Sequence, residues 1–180
     1  MRISLPLLDF LIDATLIAGP FLYITLFERK PALKELGFKS NGAAKDINAT
    51  AKLFLCLFIY STLISLVLYA LGLNDIEKVG EVIGTLAQAP RPYLIYFFTV
   101  RVLGEELFFR AFLVPRIGII PSSIAFGLLH FGYGSISEMI GAALLGIILA
   151  VAYKQNKTIV PNYIAHLLYN LVAVLLLVNA

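Results

Sequence analysis

Two glutamates, an arginine and the chain's only two histidines fall inside stretches otherwise apolar enough to lie in a membrane. They are Glu105, Glu106 and Arg110 in VRVLGEELFFRAFLVP, His130 in PSSIAFGLLHFG, and His166, with Asn170, in VPNYIAHLLYNLVAVLLLV. A charge at the centre of a bilayer costs about 2.5–3.5 kcal/mol on insertion scales, so such residues persist where they face one another or a wet cavity. Their types suit hydrolysis. A carboxylate in apolar surroundings is a stronger base than in water. An imidazole N–H and an amide N–H can both donate to a developing oxyanion.

The elements that carry these groups must be membrane helices. The chain has 180 residues, 60% apolar, with a mean hydropathy of +0.91, far above that of a soluble domain. About 20 mostly apolar residues cross a bilayer as a helix. Six segments qualify: about 3–27, 53–73, 92–113, 118–132, 136–153 and 159–178. The expected fold is therefore all-α, a polytopic bundle of about six transmembrane helices. It is read as one integral-membrane domain over 1–180, with the chemistry-bearing part at about 92–178. The first segment reads as a retained span rather than a signal peptide, having one basic residue, Arg2, and acids at Asp9 and Asp13. PALKEL, at 31–36, is expected as a short helix on the membrane surface, and 74–92 as a connection of mixed charge.

Basic residues set the expected orientation. Arg29, Lys30, Lys34, Lys39, Lys45, Lys52, Arg110, Arg116, Lys154 and Lys157 fall to one side; Arg2, Lys78 and Arg91 fall to the other. The first group marks the cytoplasmic side of the cell membrane, which puts both termini outside. Three prolines near that side give a common depth mark. Glu105 is about 15 Å in from Pro115, His130 about 14 Å from Pro121, and His166 and Asn170 about 8 and 14 Å from Pro161. The four groups lie within about two helical turns of a common plane, in the cytoplasmic half of the membrane, and the expected cavity opens to the cytoplasm.

Spacing refines the picture. Glu106 and Arg110 are four apart on one helix face, in the order that favours an ion pair. Glu105 projects about 100° away from Glu106, so it is the one free to face a cavity. Arg101, four before Glu105, is a competing partner for it. His166 and Asn170 share a face, as do Phe126 and His130.

EELFFR at 105–110, FGLLH at 126–130 and HLLYN at 166–170 fit EExxxR, FxxxH and HxxxN in that order. In this the chain resembles the CAAX-protease and bacteriocin-processing (CPBP, or Abi) family of intramembrane endopeptidases, whose best-known member is the type II CAAX prenyl endopeptidase. The resemblance covers about 100–178. It implies that Glu105 and His130 hold and activate a water, with Glu105 as general base. It implies that His166 and Asn170 stabilise the oxyanion, that Glu106 and Arg110 support the site, and that Phe126 packs beneath His130. No cofactor is expected. The expected partners are the lipid bilayer and a membrane-associated or lipidated peptide, prenylated CAAX tails among the candidates.

Rival readings exist. Glu105, His130 and His166 are a zinc set by count, although HExxH is absent. Gly134-Ser135 near His130 is a weak serine-protease signal, and Asp9 with Asp13 lie on one span where a paired-aspartate protease needs two. Intramembrane Glu, His and Arg also serve transporters, and a non-catalytic scaffold could keep the same cluster. The bland readings are these: Glu106–Arg110 as a structural pair, Asp9, Asp13 and Glu138 near the outer interface, and Tyr93, Tyr96 and Tyr163 as an interfacial belt. Cys56 is expected to be a buried apolar residue. Nothing points to nucleic acid.

Overall fold

A computed structural model describes residues 6–178, with side chains from residue 8. Helix α1 spans Pro6–Tyr23 and ends in a wide i→i+5 turn, Ile24–Glu28. A single turn, α2 (Ala32–Glu35), lies in PALKEL as expected. Helix α3 spans Ala43–Ala70, α4 Ile76–Ala87, and α5 runs over 91–117. Helix α6 covers Ile119–Leu129 and tightens into a 3₁₀ turn, His130–Tyr133; α7 is Ile136–Asn156 and α8 Val160–Val178. The fold is all-helical, with no strand among the described residues.

Among the described residues, four helices are long and apolar enough to cross a membrane: Leu8–Glu28, Ala43–Ala70, Ile136–Asn156 and Val160–Val178. Ile119–Tyr133 is a shorter apolar helix, and α5 is long but carries the charges. Large apolar side chains cover the outside of α3, including Leu55, Ile59, Leu63 and Leu66, as a lipid-facing surface requires. The chain is a membrane protein.

Two local differences from expectation have physical reasons. Helix α3 begins ten residues before the expected span, because Ala43–Lys52 continues the helix beyond the apolar run. Residues 76–87 form a helix rather than a loop. Ile76, Val79, Ile83 and Leu86 repeat at helical spacing, and Val79 and Ile83 are buried.

Helix α5 is wound unusually. Phe97–Arg101 and Glu106–Leu113 adopt i→i+5 pairing inside an otherwise α-helical rod. Such widened turns recur at functional sites, because they re-aim side chains that a regular helix would stagger. Helices α6 and α7 then meet closely. A Cβ on Gly127 would lie 2.7 Å from Ala143 Cβ and from the Met139 carbonyl oxygen; one on Gly146 would lie 3.2 Å from the Phe126 ring. Only glycine admits this approach, which fixes Phe126 and His130 against α7. Apolar clusters flank the polar centre: Leu53, Leu57, Leu145, Leu149 and Ala165 on one side, Leu16, Phe109, Phe126 and Ala142 on the other.

Candidate active site

Glu106 has no exposed surface, and its carboxylate is fully engaged. Oε1 accepts from His166 Nδ1 at 2.9 Å and lies 3.5 Å from Arg110 Nε; Oε2 accepts from Asn162 Nδ2 at 3.1 Å. Asn162 also donates to the Leu149 carbonyl at 2.8 Å, tying α8 to α7 beneath the site. Arg110 is equally buried. Its Nη1 and Nη2 make no hydrogen bond, but the guanidinium carbon stands 3.9 Å from the centre of the Phe126 ring. A desolvated cation–π contact is worth about 2 kcal/mol, against about 3–5 kcal/mol for stranding one partner of a buried ion pair. The ion pair with Glu106 is therefore the larger of the two holds on Arg110.

Glu105, one residue earlier, points elsewhere. It lines a cavity of about 430 Å³ together with His130, His166, Asn170, Tyr133 and Glu138. Its carboxylate makes no hydrogen bond; the near approach is Oε2 to His166 Nε2 at 3.9 Å. His166 thus stands between the two glutamates, with Nδ1 on Glu106 and Nε2 turned to Glu105.

His130 is held by its own helix. Nδ1 lies 2.9 Å from the Phe126 carbonyl oxygen, which can only accept, so Nδ1 carries the hydrogen and Nε2 presents a lone pair. The ring stacks on Tyr133 at 5.7 Å and meets the Phe126 edge at 4.7 Å. Phe126 also touches His166 edge-on at 6.0 Å, so a single aromatic ring packs against both imidazoles and Arg110. Asn170, one turn beyond His166, lines the cavity with its amide unbonded. Glu105, His130, His166 and Asn170 are therefore brought to one cavity with Phe126, while Glu106 and Arg110 lie behind its lining, against His166 and Phe126.

Several expectations need correction. Arg101 pairs with neither glutamate: it lies 3.2 Å from both Asp9 and Asp13 across the α1–α5 interface. Asp13 is buried rather than interfacial, and Tyr96 donates to it at 2.7 Å. Tyr93 contacts Asp9 at 3.5 Å, so both tyrosines serve this cluster rather than a lipid belt. Burying the acids spares them lipid only because Arg101 arrives opposite them. Glu138 lines the cavity instead of the outer surface, because the short link 131–135 brings the first turn of α7 against His130. Ser135 is no nucleophile candidate: it caps α7, accepting from Glu138 N–H and donating to Asp75. Cys56 is exposed.

The cavity also runs the other way from expectation. It extends toward Asn74, Ser137 and Leu177, the end of the bundle opposite Lys45, Lys52 and Lys154.

Asn162 escaped sequence reasoning although a signal was present. Asn162, His166 and Asn170 repeat at intervals of four, and the helix face that carries the last two carries the first. Among the described residues, no three His, Cys, Asp or Glu side chains gather closely enough to hold a metal ion.

The fold and the site define a helical membrane protein with a buried carboxylate–imidazole centre open to a cavity. Residues 87–172, which contain all seven site residues, match the family model described as type II CAAX prenyl endopeptidase Rce1-like. This bears out the resemblance drawn from the three motifs, and it supports a CAAX-type membrane peptidase in general class. No curated protein and no solved structure matches the chain.

Proposed function

We propose that the chain is an intramembrane endopeptidase that hydrolyses a peptide bond of a membrane-anchored substrate through a water held by Glu105 and His130. The observation that carries this is the contrast between the glutamates: Glu106 is saturated, while Glu105 is without a hydrogen bond and lines the same cavity as His130, whose Nδ1 is taken up by the Phe126 carbonyl. Glu105 takes a proton from the water as its oxygen bonds to the scissile carbonyl carbon. The carbonyl oxygen becomes an oxyanion, stabilised by Asn170 Nδ2–H and by His166. With Nδ1–H given to Glu106, His166 Nε2 donates only when the ring carries both protons, so Asn170 is the unconditional donor. The tetrahedral intermediate collapses, the C–N bond breaks, and Glu105 returns the proton to the leaving amine.

The far wall of the cavity is mostly apolar, built from α3 and α8 by residues such as Phe58, Leu68, Ala173 and Leu177, with Ser61, Thr62 and Ser65 among them. That wall suits a lipidated peptide, with prenylated CAAX-type tails as the substrate class. Charge distribution places the basic end of the bundle in the cytoplasm, so the cavity then opens toward the opposite face of the cell membrane.

Mass spectrometry of a prenylated CAAX-type peptide and its unprenylated twin, incubated with purified protein with and without chelator, tests this reading. One cut in the prenylated peptide, unaffected by chelator, is expected. Activity lost to chelator and restored by zinc would replace the glutamate–water mechanism with a metalloprotease. No product, with ion flux in liposomes, would favour a transporter.

A further inference from the structure

We infer that the groove between the start of α3 and the end of α7 is a binding site for the headgroup of an anionic phospholipid. A cavity of about 800 Å³ lies here, at the end of the bundle away from the active site. Lys45, Asn48 and Lys52 line it from one face of α3, and Gln155 lines it from α7. Deeper in, the lining changes to Leu53, Ile148 and Val151. A polar, cationic mouth above an apolar slot between two spans is the shape of a phosphodiester with an acyl chain below it.

The charge balance favours an anion. Neither lysine has a carboxylate within ion-pair distance among the described residues. One acid, Asp46, also lines the cavity, but it is buried and its carboxylate is engaged by its own loop, where it accepts from Ser40 Oγ at 2.5 Å and from the Asn41 N–H. The mouth is also a built structure. Asn41 Nδ2 donates to the Asn156 carbonyl at 2.8 Å, Ile159 N–H to the Gly37 carbonyl at 3.1 Å, and Thr158 Oγ1 to the Lys39 carbonyl. These bonds stitch the approach to α3 onto the end of α7.

Helix length decides between a lipid and a soluble phosphate. The 28 residues of α3 span about 42 Å, against a hydrocarbon core of about 30 Å. The uncharged stretch 53–70 spans about 27 Å, close to the thickness of that core, so Lys45 and Lys52 stand about 10 Å apart along the helix at headgroup level.

Thermal unfolding of the full chain in detergent tests this independently of any peptidase activity. Phosphatidylglycerol, phosphatidylcholine with the same acyl chains, and soluble glycerol phosphate are added in turn. Phosphatidylglycerol is expected to raise the midpoint by a few degrees above phosphatidylcholine, and glycerol phosphate to leave it unchanged. The double variant Lys45→Gln, Lys52→Gln loses that increment, while Lys34→Gln, at the same end of the chain's charge, keeps it. Equal shifts from both lipids, an increment that survives in the double variant, or a shift reproduced by glycerol phosphate would each overturn the assignment. If the double variant unfolds, native mass spectrometry of Lys52→Gln decides: retention of phosphatidylglycerol as in the parent overturns it, and loss supports it.

Discussion

Glu105 and Glu106 are joined by one peptide bond, yet they belong to two regions of opposite character. Around Glu106 the acceptor sites are filled by Arg110, Asn162 and His166, drawn from α5 and α8. Around Glu105 the polar groups of His130, Asn170 and Glu138 line an open cavity and leave the carboxylate unbonded. A satisfied buried network rigidifies a structure; an unsatisfied one is retained where something else must bind. The first region holds His166 and Phe126 in place, and the second is where the proposed hydrolysis takes place.

The sharpest way to break this division is to empty the saturated side. Glu106→Ala strands Arg110 in the interior and is expected to cost about 3–5 kcal/mol of stability, with activity lost alongside. Chemical denaturation of the purified variant, followed by a cleavage assay on the folded fraction, measures both. A variant of parental stability would mean that Arg110 and His166 do not depend on Glu106.

The open side behaves differently. Asn170→Ala is expected to lower kcat by about 10²–10³-fold, the loss typical of one oxyanion donor, with little change in melting temperature. Steady-state kinetics on the membrane-anchored peptide read it. A rise in KM at constant kcat would make Asn170 a substrate-binding residue instead.

A smaller effect lies at the rim. Asp75 accepts from the Ser135 and Ser137 hydroxyls and from the Ile136 and Ser137 backbone N–H groups, joining the approach to α4 to the start of α7. The Ser135 and Ser137 hydroxyls, then the backbone donors, hold its carboxyl well below the usual carboxylate range. A depressed folded pKa gives stability that is full above the unfolded value, about 3.9, and fades as pH falls toward the folded one. Asp75→Asn should therefore lower the melting temperature slightly at neutral pH, and the difference from the parent should shrink below about pH 4. Melting curves of both proteins from pH 7 to pH 3 check the sign.

Much of the active side was legible from sequence because it is local. EExxxR, FxxxH and HxxxN are intrahelical spacings, and the helix period alone separates Glu105 from Glu106. What escaped is long-range. Asp13 and Arg101 are 88 residues apart, and only the packing of α1 on α5 reveals that they meet. The position of Glu138 depends on how tightly the 131–135 link folds back. The extent of the cavity depends on how α3, α4 and α8 pack around Glu105, which no spacing encodes. Asn162 was within reach, since it lies on the His166 face at the same interval of four, but its bond to Glu106 spans 56 residues of sequence and shows only in the packing of α8 on α5.

Glu105→Gln tests the central claim most directly. Cleavage products of the membrane-anchored peptide are quantified by mass spectrometry for parent and variant at equal folded amounts. Glutamine keeps the shape and removes the base, so the expected result is a loss of at least about 10²-fold with superimposable melting curves. A Glu105→Gln protein that cleaves at the parental rate would contradict the account.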